Sequence, residues 1–135
     1  MGYLLKMAAT ALRRAMDQAL RPLELTVPQY SCLEVLAQHP GLTNSELARA
    51  TFVTRQTMNE VLRGLSERDL IARPSTATTG RARPTELTPA GRRALHAAST
   101  TAAAVEARMI ADLPPARRAR LLDDLRHCVR ALGPA

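Results

Sequence analysis

The sequence predicts a mostly α-helical protein with one small β-hairpin. Apolar residues recur every three or four positions along most of the 135 residues, which is the period of a buried helix face. Aromatic residues make up only 2% of the chain and tryptophan is absent, so alanine and leucine must fill the core, which favours closely packed helices. The exception lies between residues 70 and 88, where two short extended segments flank a stretch rich in Pro, Ser, Thr and Gly. This length fits a single domain.

The first two predicted helices lie between clear start and stop signals. The first covers about twenty residues and ends at Arg21-Pro22, because a helix rarely continues into a proline. The second begins after the capping residue Thr26, has Pro28 in its first turn, and ends at residues 39–41, which are His-Pro-Gly.

The next two helices are predicted from their capping residues. Thr43 and Glu46 have the spacing of a capping box, so a short third helix begins there, and Thr54 caps a fourth. The fourth helix, from Arg55 to about Arg68, has two distinct faces. Its apolar face carries Met58, Val61, Leu62 and Leu65, and its polar face carries Arg55, Gln56, Asn59, Glu60, Arg63 and Glu67.

The hairpin and two further helices complete the chain. Residues 70–73 and 84–88 are the two predicted strands, and Thr88 followed by Pro89 opens a long helix that should stop near Leu113. The last helix ends at Gly133-Pro134. One of its faces is apolar and consists of Leu121, Leu122, Leu125, Cys128, Val129 and Leu132.

Together the third and fourth helices have the form of a helix-turn-helix, whose second helix enters the major groove of DNA. Nineteen basic against twelve acidic residues give a net charge of +7, which suits a polyanionic partner. Arg55, Asn59 and Arg63 are four residues apart and form one ridge; Arg pairs with guanine, and Asn or Gln with adenine. The alternative is a merely solvated face. The predicted DNA contacts here are Thr43, Asn44, Thr54, Arg55, Gln56, Thr57, Asn59 and Arg63.

A second set of predicted DNA contacts lies in the hairpin loop. Arg81 and Arg83 lie in a proline-edged segment that has no acidic residue between Ala72 and Thr85. Such a loop suits the minor groove, whose negative potential attracts arginine. The alternative is a loop that only adds solubility.

Five segments, in order, resemble the signature blocks of MarR (multiple antibiotic resistance regulator) family proteins. The resemblance spans residues 25 to 92, with helices on both sides. The segments are LTVPQY at 25–30, LTNSELA at 42–48, TRQT at 54–57, LSERDLIAR at 65–73 and LTPAGR at 87–92.

The resemblance implies a winged helix-turn-helix at residues 25–88. A dimerisation helix at 1–24 precedes it, and dimerisation helices at 89–135 follow, which interleave with those of a second chain. The apolar faces of the first and last helices agree with this, since a monomer would bury them only in part. The predicted dimer contacts are Leu4, Leu12, Met16, Leu121, Leu125 and Leu132.

Two further implications concern the loop arginines and a ligand. Many family members carry an acidic residue before the loop arginine; here Thr79 takes its place and Arg81 keeps that of the arginine, so Arg83 is a candidate to share its role. The family also has a small-molecule pocket between the dimer helices and the DNA-binding lobe. Tyr30 and Phe52 are candidate pocket residues, with core packing as the alternative for Tyr30.

Other classes of site find little support. Nucleophile elbows, HExxH motifs and phosphate-binding glycine loops are absent, so no enzyme, metal or cofactor is expected. His127 and Cys128 are adjacent on a helix and point apart, and both Cys32 and Cys128 are expected to be buried structural thiols. With no transmembrane segment or secretory signal, a cytoplasmic protein is expected.

The sequence therefore predicts a homodimeric regulator that binds a pseudo-palindromic operator and responds to a small molecule, most often as a repressor. Two alternatives stay open: an architectural protein that binds DNA without sequence preference, and an interaction module with a degenerate helix-turn-helix.

Overall fold

The computed structural model describes residues 1–73 and 84–133, and within these ranges it confirms the predicted class of fold. The described part has six α-helices, a 3₁₀ turn at Arg21–Leu23 and two antiparallel strands. The elements are α1 (Gly2–Leu20), α2 (Val27–Gln38), α3 (Asn44–Ala50), α4 (Arg55–Glu67), β1 (Ile71–Ala72), β2 (Glu86–Leu87), α5 (Pro89–Met109) and α6 (Pro115–Leu132). In the sheet, Ile71 pairs with Leu87 and Ala72 with Glu86.

Threonine side chains begin four of the helices, as their positions before the helical segments predict. Each threonine hydroxyl accepts a hydrogen bond from a backbone N–H three residues later, one of the donors that a helix start leaves without a partner. The pairs are Thr26 with Gln29, Thr43 with Glu46, Thr54 with Thr57 and Thr88 with Gly91. Two of these caps, Thr43 and Thr54, mark where the two helices of the helix-turn-helix begin.

Two clusters of apolar side chains hold the helices together. The larger one joins α2, α3, α4 and the hairpin, and includes Leu33, Leu36, Leu47, Met58, Leu62, Leu65 and Leu87. The smaller one consists of Met16 from α1 with Ala102 and Val105 from α5. Val27 and Tyr30 pack against both clusters, so the start of α2 joins the helix-turn-helix to α1 and α5.

The end of α5 differs from the prediction, because the helix stops at Met109 and not near Leu113. After Ile110 the chain makes a turn in which the N–H of Leu113 donates to the carbonyl of Ile110 at 3.0 Å. The Arg118 side chain donates to the carbonyls of Leu113 (2.7 Å) and Ala111 (3.2 Å). An arginine from the next helix thus satisfies two carbonyls of the turn that follows α5, which no helical N–H reaches.

Predicted burial is wrong for one cysteine. Cys32 is fully buried in α2, but Cys128 is exposed on α6. The physical reason is that α6 buries none of its residues within the described part of the chain, so its apolar face stays open to solvent. Within residues 1–73 and 84–133, no helix is both long and apolar enough to span a bilayer.

Candidate nucleic-acid interface

Helix α4 exposes its polar face to solvent because its opposite, apolar face is buried in the core. Met58, Leu62 and Leu65 are almost completely buried, and Val61 is nearly so. The residues between them, including Arg55, Gln56, Asn59 and Arg63, are therefore exposed. Since side chains three and four residues apart share a helix face, the structure brings Arg55, Asn59 and Arg63 together on one ridge, as predicted.

The threonines among the predicted DNA contacts already hold local hydrogen bonds. The Thr54 hydroxyl donates to the hydroxyl of Thr57 (3.0 Å) and accepts from its N–H (3.1 Å). At the start of α3, the Thr43 N–H donates to Glu46 Oε2 at 2.7 Å, and the Glu46 N–H donates back to Thr43 Oγ1 at 3.3 Å. Hydrogen bonds from the backbone and the side chain of Thr43 to the carboxyl group lower the pKa of Glu46. Thr43 and Thr54 therefore fix the helix starts, whether or not they also contact DNA.

Asn44 lies between the hairpin and α4, the second helix of the helix-turn-helix, which we call the recognition helix. Its amide nitrogen Nδ2 donates to Asn59 Oδ1 at 2.7 Å, and its oxygen Oδ1 accepts from Nη2 of Arg73 at 3.4 Å. All three line an open groove of about 420 Å³, together with Arg63 and Ser66 of α4. The groove is open to solvent and is lined by polar side chains from α3, α4 and the residue after β1, which are hydrogen-bonding groups of the kind that read base edges.

Two residues at this surface were missed from the sequence. Arg73, directly after β1, bonds Asn44, and Ser45 in α3 accepts from Nη1 of Arg55 at 3.4 Å. Arg73 had a signal, because it opens the segment without acidic residues that continues to Arg83. Ser45 had none, because its role depends on how closely α3 and α4 approach. The predicted contacts Arg81 and Arg83 lie outside the described residues.

The C-terminal end of α4 is tied to the connection between α1 and α2. Arg68 donates from Nη1 to the backbone carbonyl of Glu24 (2.6 Å) and from Nη2 to that of Leu23 (3.5 Å). Glu24 has a left-handed backbone conformation, with φ of 56°. The recognition helix is thus hydrogen-bonded to the segment through which the chain leaves α1.

The residues predicted for dimer contacts have different environments. Leu4, Leu121, Leu125 and Leu132 are exposed, and Leu12 is half-buried beside an apolar groove of about 260 Å³ between α1 and α5. Met16 is buried against Ala102 and Val105 of its own chain, and its contact with a second chain stays a prediction. It therefore supports the α1–α5 pair from inside.

The two predicted pocket residues are not brought together. Tyr30 is half-buried where the two clusters meet, and burial is the main cause that raises its pKa. Phe52 lies on the turn between α3 and α4, with φ of 59° and 77% of its surface exposed. Its neighbour Val53 packs against the core instead, so the turn directs Phe52 outwards.

A capped helix-turn-helix with an exposed polar second helix, followed by a β-hairpin, defines a winged helix-turn-helix DNA-binding protein. The model of the MarR family matches residues 23–82. The chain belongs to the MarR family of transcriptional regulators.

Curated and solved relatives agree with this assignment. HTH-type transcriptional repressor Rv2887 of Mycobacterium tuberculosis is 43% identical over 113 residues, which cover 84% of this chain and 81% of that protein. Its crystal structures include one with salicylic acid (TM-score 0.82, 39% identity, 96% of each chain) and one with DNA (TM-score 0.80, 39% identity, 93% of this chain and 96% of that one). The repressor CouR bound to a 23-mer DNA duplex is 29% identical, with a TM-score of 0.85 over 95% of this chain and 91% of that one.

Proposed function

We propose that this protein is a homodimeric transcriptional repressor that binds a pseudo-palindromic operator and is released by a small aromatic carboxylate. The observation that carries the proposal is the exposed ridge of Arg55, Asn59 and Arg63 on a helix whose other face is fixed in the core. A rigid helix that displays arginine and carboxamide groups matches the hydrogen-bonding pattern of the major groove. Its role is regulatory rather than catalytic, and its place of action is the cytoplasm, where its operator DNA lies.

Two recognition helices are needed for a two-fold symmetric operator, so the proposal includes a dimer. We assign residues 1–24 and 89–135 to dimerisation and residues 25–88 to DNA binding. The exposed apolar face of α6 and the apolar groove between α1 and α5 support this division. Both surfaces are apolar, and exposing them to water is unfavourable, so each is suited to pack against an apolar surface of a second chain.

The effector class rests on the relative that was solved with salicylic acid. In this chain Tyr30 lies at the junction of α1, α2 and α5, close to where the DNA-binding lobe meets the helices assigned to dimerisation. A ligand held at this junction would shift one lobe relative to the other. It would thereby change the distance between the two recognition helices of the dimer.

The test is competition between specific and random DNA. DNA flanking the protein's own gene is footprinted, and the protected fragment is titrated by fluorescence anisotropy against a random duplex at fixed salt. We expect Arg55→Ala to weaken binding to the protected fragment by about 1 to 3 kcal/mol and to affect the random duplex much less. Arg14→Ala removes the same charge from an exposed position on α1 and is the matched control.

Two results would contradict the proposal. Equal affinity for the fragment and the random duplex would indicate an architectural DNA-binding protein, and absence of binding to either would indicate an interaction module. For the effector, salicylate is added to the complex, and release of the fragment at millimolar concentration is expected. Salicylate that leaves the anisotropy unchanged would remove this compound class from the proposal.

A further inference from the structure

The orientation of the Asn59 side chain is set by two neighbours and not by α4 alone. Asn44 begins α3, Asn59 lies in the second turn of α4 and Arg73 follows β1, so the three belong to different elements. Asn44 Nδ2 donates to Asn59 Oδ1 at 2.7 Å, and Arg73 Nη2 donates to Asn44 Oδ1 at 3.4 Å. The hydrogen bonds form a chain that runs from the root of the hairpin to the recognition helix.

Arg73 determines which group donates and which accepts in each of these two hydrogen bonds. A guanidinium group only donates hydrogen bonds, whereas a carboxamide has one accepting and one donating end. The end of Asn44 that faces Arg73 must therefore be its oxygen, which leaves its nitrogen to face Asn59. Asn59 must then turn its own oxygen towards Asn44. The two carboxamide orientations, which are otherwise hard to distinguish, follow from the chemistry of Arg73.

Asn59 is left with a donor for DNA. Within residues 1–73 and 84–133, its Nδ2 has no acceptor, and the side chain is exposed on the ridge that carries Arg55 and Arg63. Guanine N7 and O6, adenine N7 and thymine O4 are acceptors in the major groove, whereas adenine N6 and cytosine N4 are donors. A carboxamide fixed in this orientation favours a base that accepts.

We propose that Asn44, oriented by Arg73, is a specificity-determining residue that fixes Asn59 with its amide nitrogen towards an acceptor on a base edge. Asn44 is a positioning residue, because it acts through Asn59. The inference rests on the proposed function and deepens it by assigning the chemical class of one contact. It also revises the expectation from the sequence, which treated Asn59 only as a partner of adenine.

Replacing Asn44 by aspartate reverses the donor and acceptor at the hydrogen bond to Asn59 without changing the shape of the side chain at position 44. The carboxylate only accepts, so Asn59 must donate to it with Nδ2 and turn Oδ1 outwards. The protein then favours a base that presents an amino donor. Asn44→Ala instead leaves Asn59 free to adopt both orientations. Neither change removes the cap of α3, since that role belongs to Thr43.

The experiment is selection from a pool of duplexes randomised over 26 base pairs, sequenced for the wild type and each variant. We expect one base pair in each half-site to lose its preference in Asn44→Ala, from on the order of tenfold to less than about threefold. In Asn44→Asp the same base pair should change identity. Ser66→Asp places a carboxylate in the same groove two helix turns from Asn59, and should lower affinity without changing the selected base.

A double-mutant comparison separates positioning from direct contact. In an Asn59→Ala background, Asn44→Ala and Asn44→Asp should leave the selected sequence unchanged, because the residue they act through is gone. Arg73→Ala should reproduce part of the Asn44→Ala effect, and Arg73→Lys, which keeps a donor, should restore the wild-type preference. Thermal unfolding of each variant verifies that it is folded.

Each contrary outcome has a distinct meaning. A wild-type motif that every Asn44 variant also selects would overturn this inference and leave the proposed function intact. A change that persists in the Asn59→Ala background would show that Asn44 contacts DNA itself, which also overturns it. If the wild type enriches no sequence from the pool, the inference and the proposed function fail together.

Discussion

Two glycines in similar helical settings differ sharply in the space around them. A Cβ added at Gly91 would lie 2.0 Å from the carbonyl oxygen of Leu70, which is backbone and cannot move aside. At Gly64 the nearest atom is the flexible side-chain end of Gln29, at 3.0 Å. We expect Gly91→Ala to reduce the free energy of unfolding by about 1 to 3 kcal/mol. Gly64→Ala should be nearly neutral or stabilise by up to about 1 kcal/mol, because alanine favours helix.

Denaturant unfolding measures both variants, and a Gly91→Ala protein as stable as Gly64→Ala would contradict the expected clash. The position of Gly91 was visible in the sequence, inside the LTPAGR segment, but its function as a close contact was not. That function depends on β1 and α5 meeting at Leu70, whose carbonyl also accepts from the Thr88 N–H at 3.1 Å. Sequence patterns carry no such distance.

Burial of Cys32 should make the free energy of unfolding depend on pH. Desolvation raises the pKa of its thiol to about 12, above the ordinary value of 9.0. Between these values the unfolded chain loses the proton and the folded chain keeps it, so rising pH favours unfolding. We expect the free energy of unfolding of the wild type to fall relative to Cys32→Ala as pH rises above about 9, and the difference to be constant below that pH.

Taking the difference between two proteins cancels the other groups that titrate at high pH. A wild-type minus Cys32→Ala difference that stays flat up to pH 10.5 would show that the thiol is not desolvated. The sequence predicted burial for both cysteines, since both lie on apolar helix faces. The prediction is wrong for Cys128, because an apolar face in the sequence does not show which other element packs against it.

At the scale of elements, helix starts were predictable and one helix end was not. Thr26, Thr43, Thr54 and Thr88 cap helices through bonds that span three residues, so the relevant partners are adjacent in sequence. The end of α5 depends on Arg118, a side chain of the following helix, which satisfies the carbonyls of Ala111 and Leu113. In the interface, the ridge of α4 followed from periodicity, whereas Ser45 and Arg73 needed the packing of other elements against it.

The hydrogen bonds of Arg68 should contribute to stability by holding the end of α4 against the α1–α2 connection. It donates to the carbonyls of Glu24 and Leu23, so Arg68→Ala leaves two carbonyls of the α1–α2 connection to water. We expect a loss of about 1 kcal/mol in the free energy of unfolding, which is less than bonds from a charged donor usually contribute because the site is exposed. Hydrogen exchange of amides at residues 21–26 should also become faster.

Arg63→Ala is the matched control. Arg63 is an exposed arginine of α4, and its side chain makes no hydrogen bond within the described residues. The substitution should change stability by less than about 0.5 kcal/mol. If both variants lose stability equally, the contacts of Arg68 with Glu24 and Leu23 do not anchor the helix.

For the whole molecule, the uneven distribution of burial is the main feature. The winged helix-turn-helix has a well-filled core of its own, but α6 buries no residue within the described chain, and Leu4 and Leu5 of α1 are exposed. A helix is stabilised mainly by packing its apolar face, so α6 as an isolated 18-residue segment would be marginal. The dimer proposed above removes this cost.

Leu125→Asp tests the dimer without disturbing either the core or the DNA-binding surface. Leu125 is 41% exposed in the chain and lies on the apolar face of α6, so a carboxylate there meets no side chain of the core. In a dimer the same carboxylate would be buried without a partner, which is unfavourable by several kcal/mol. We therefore expect light scattering to give the mass of one chain, and operator affinity to fall at least about 100-fold because one half-site is bound instead of two.

His127→Asp adds the same charge to α6 away from its apolar face, and should remain dimeric with near wild-type affinity. A Leu125→Asp protein that is still dimeric would show that α6 does not form the interface, whereas a monomer with full operator affinity would show that DNA binding needs only one recognition helix.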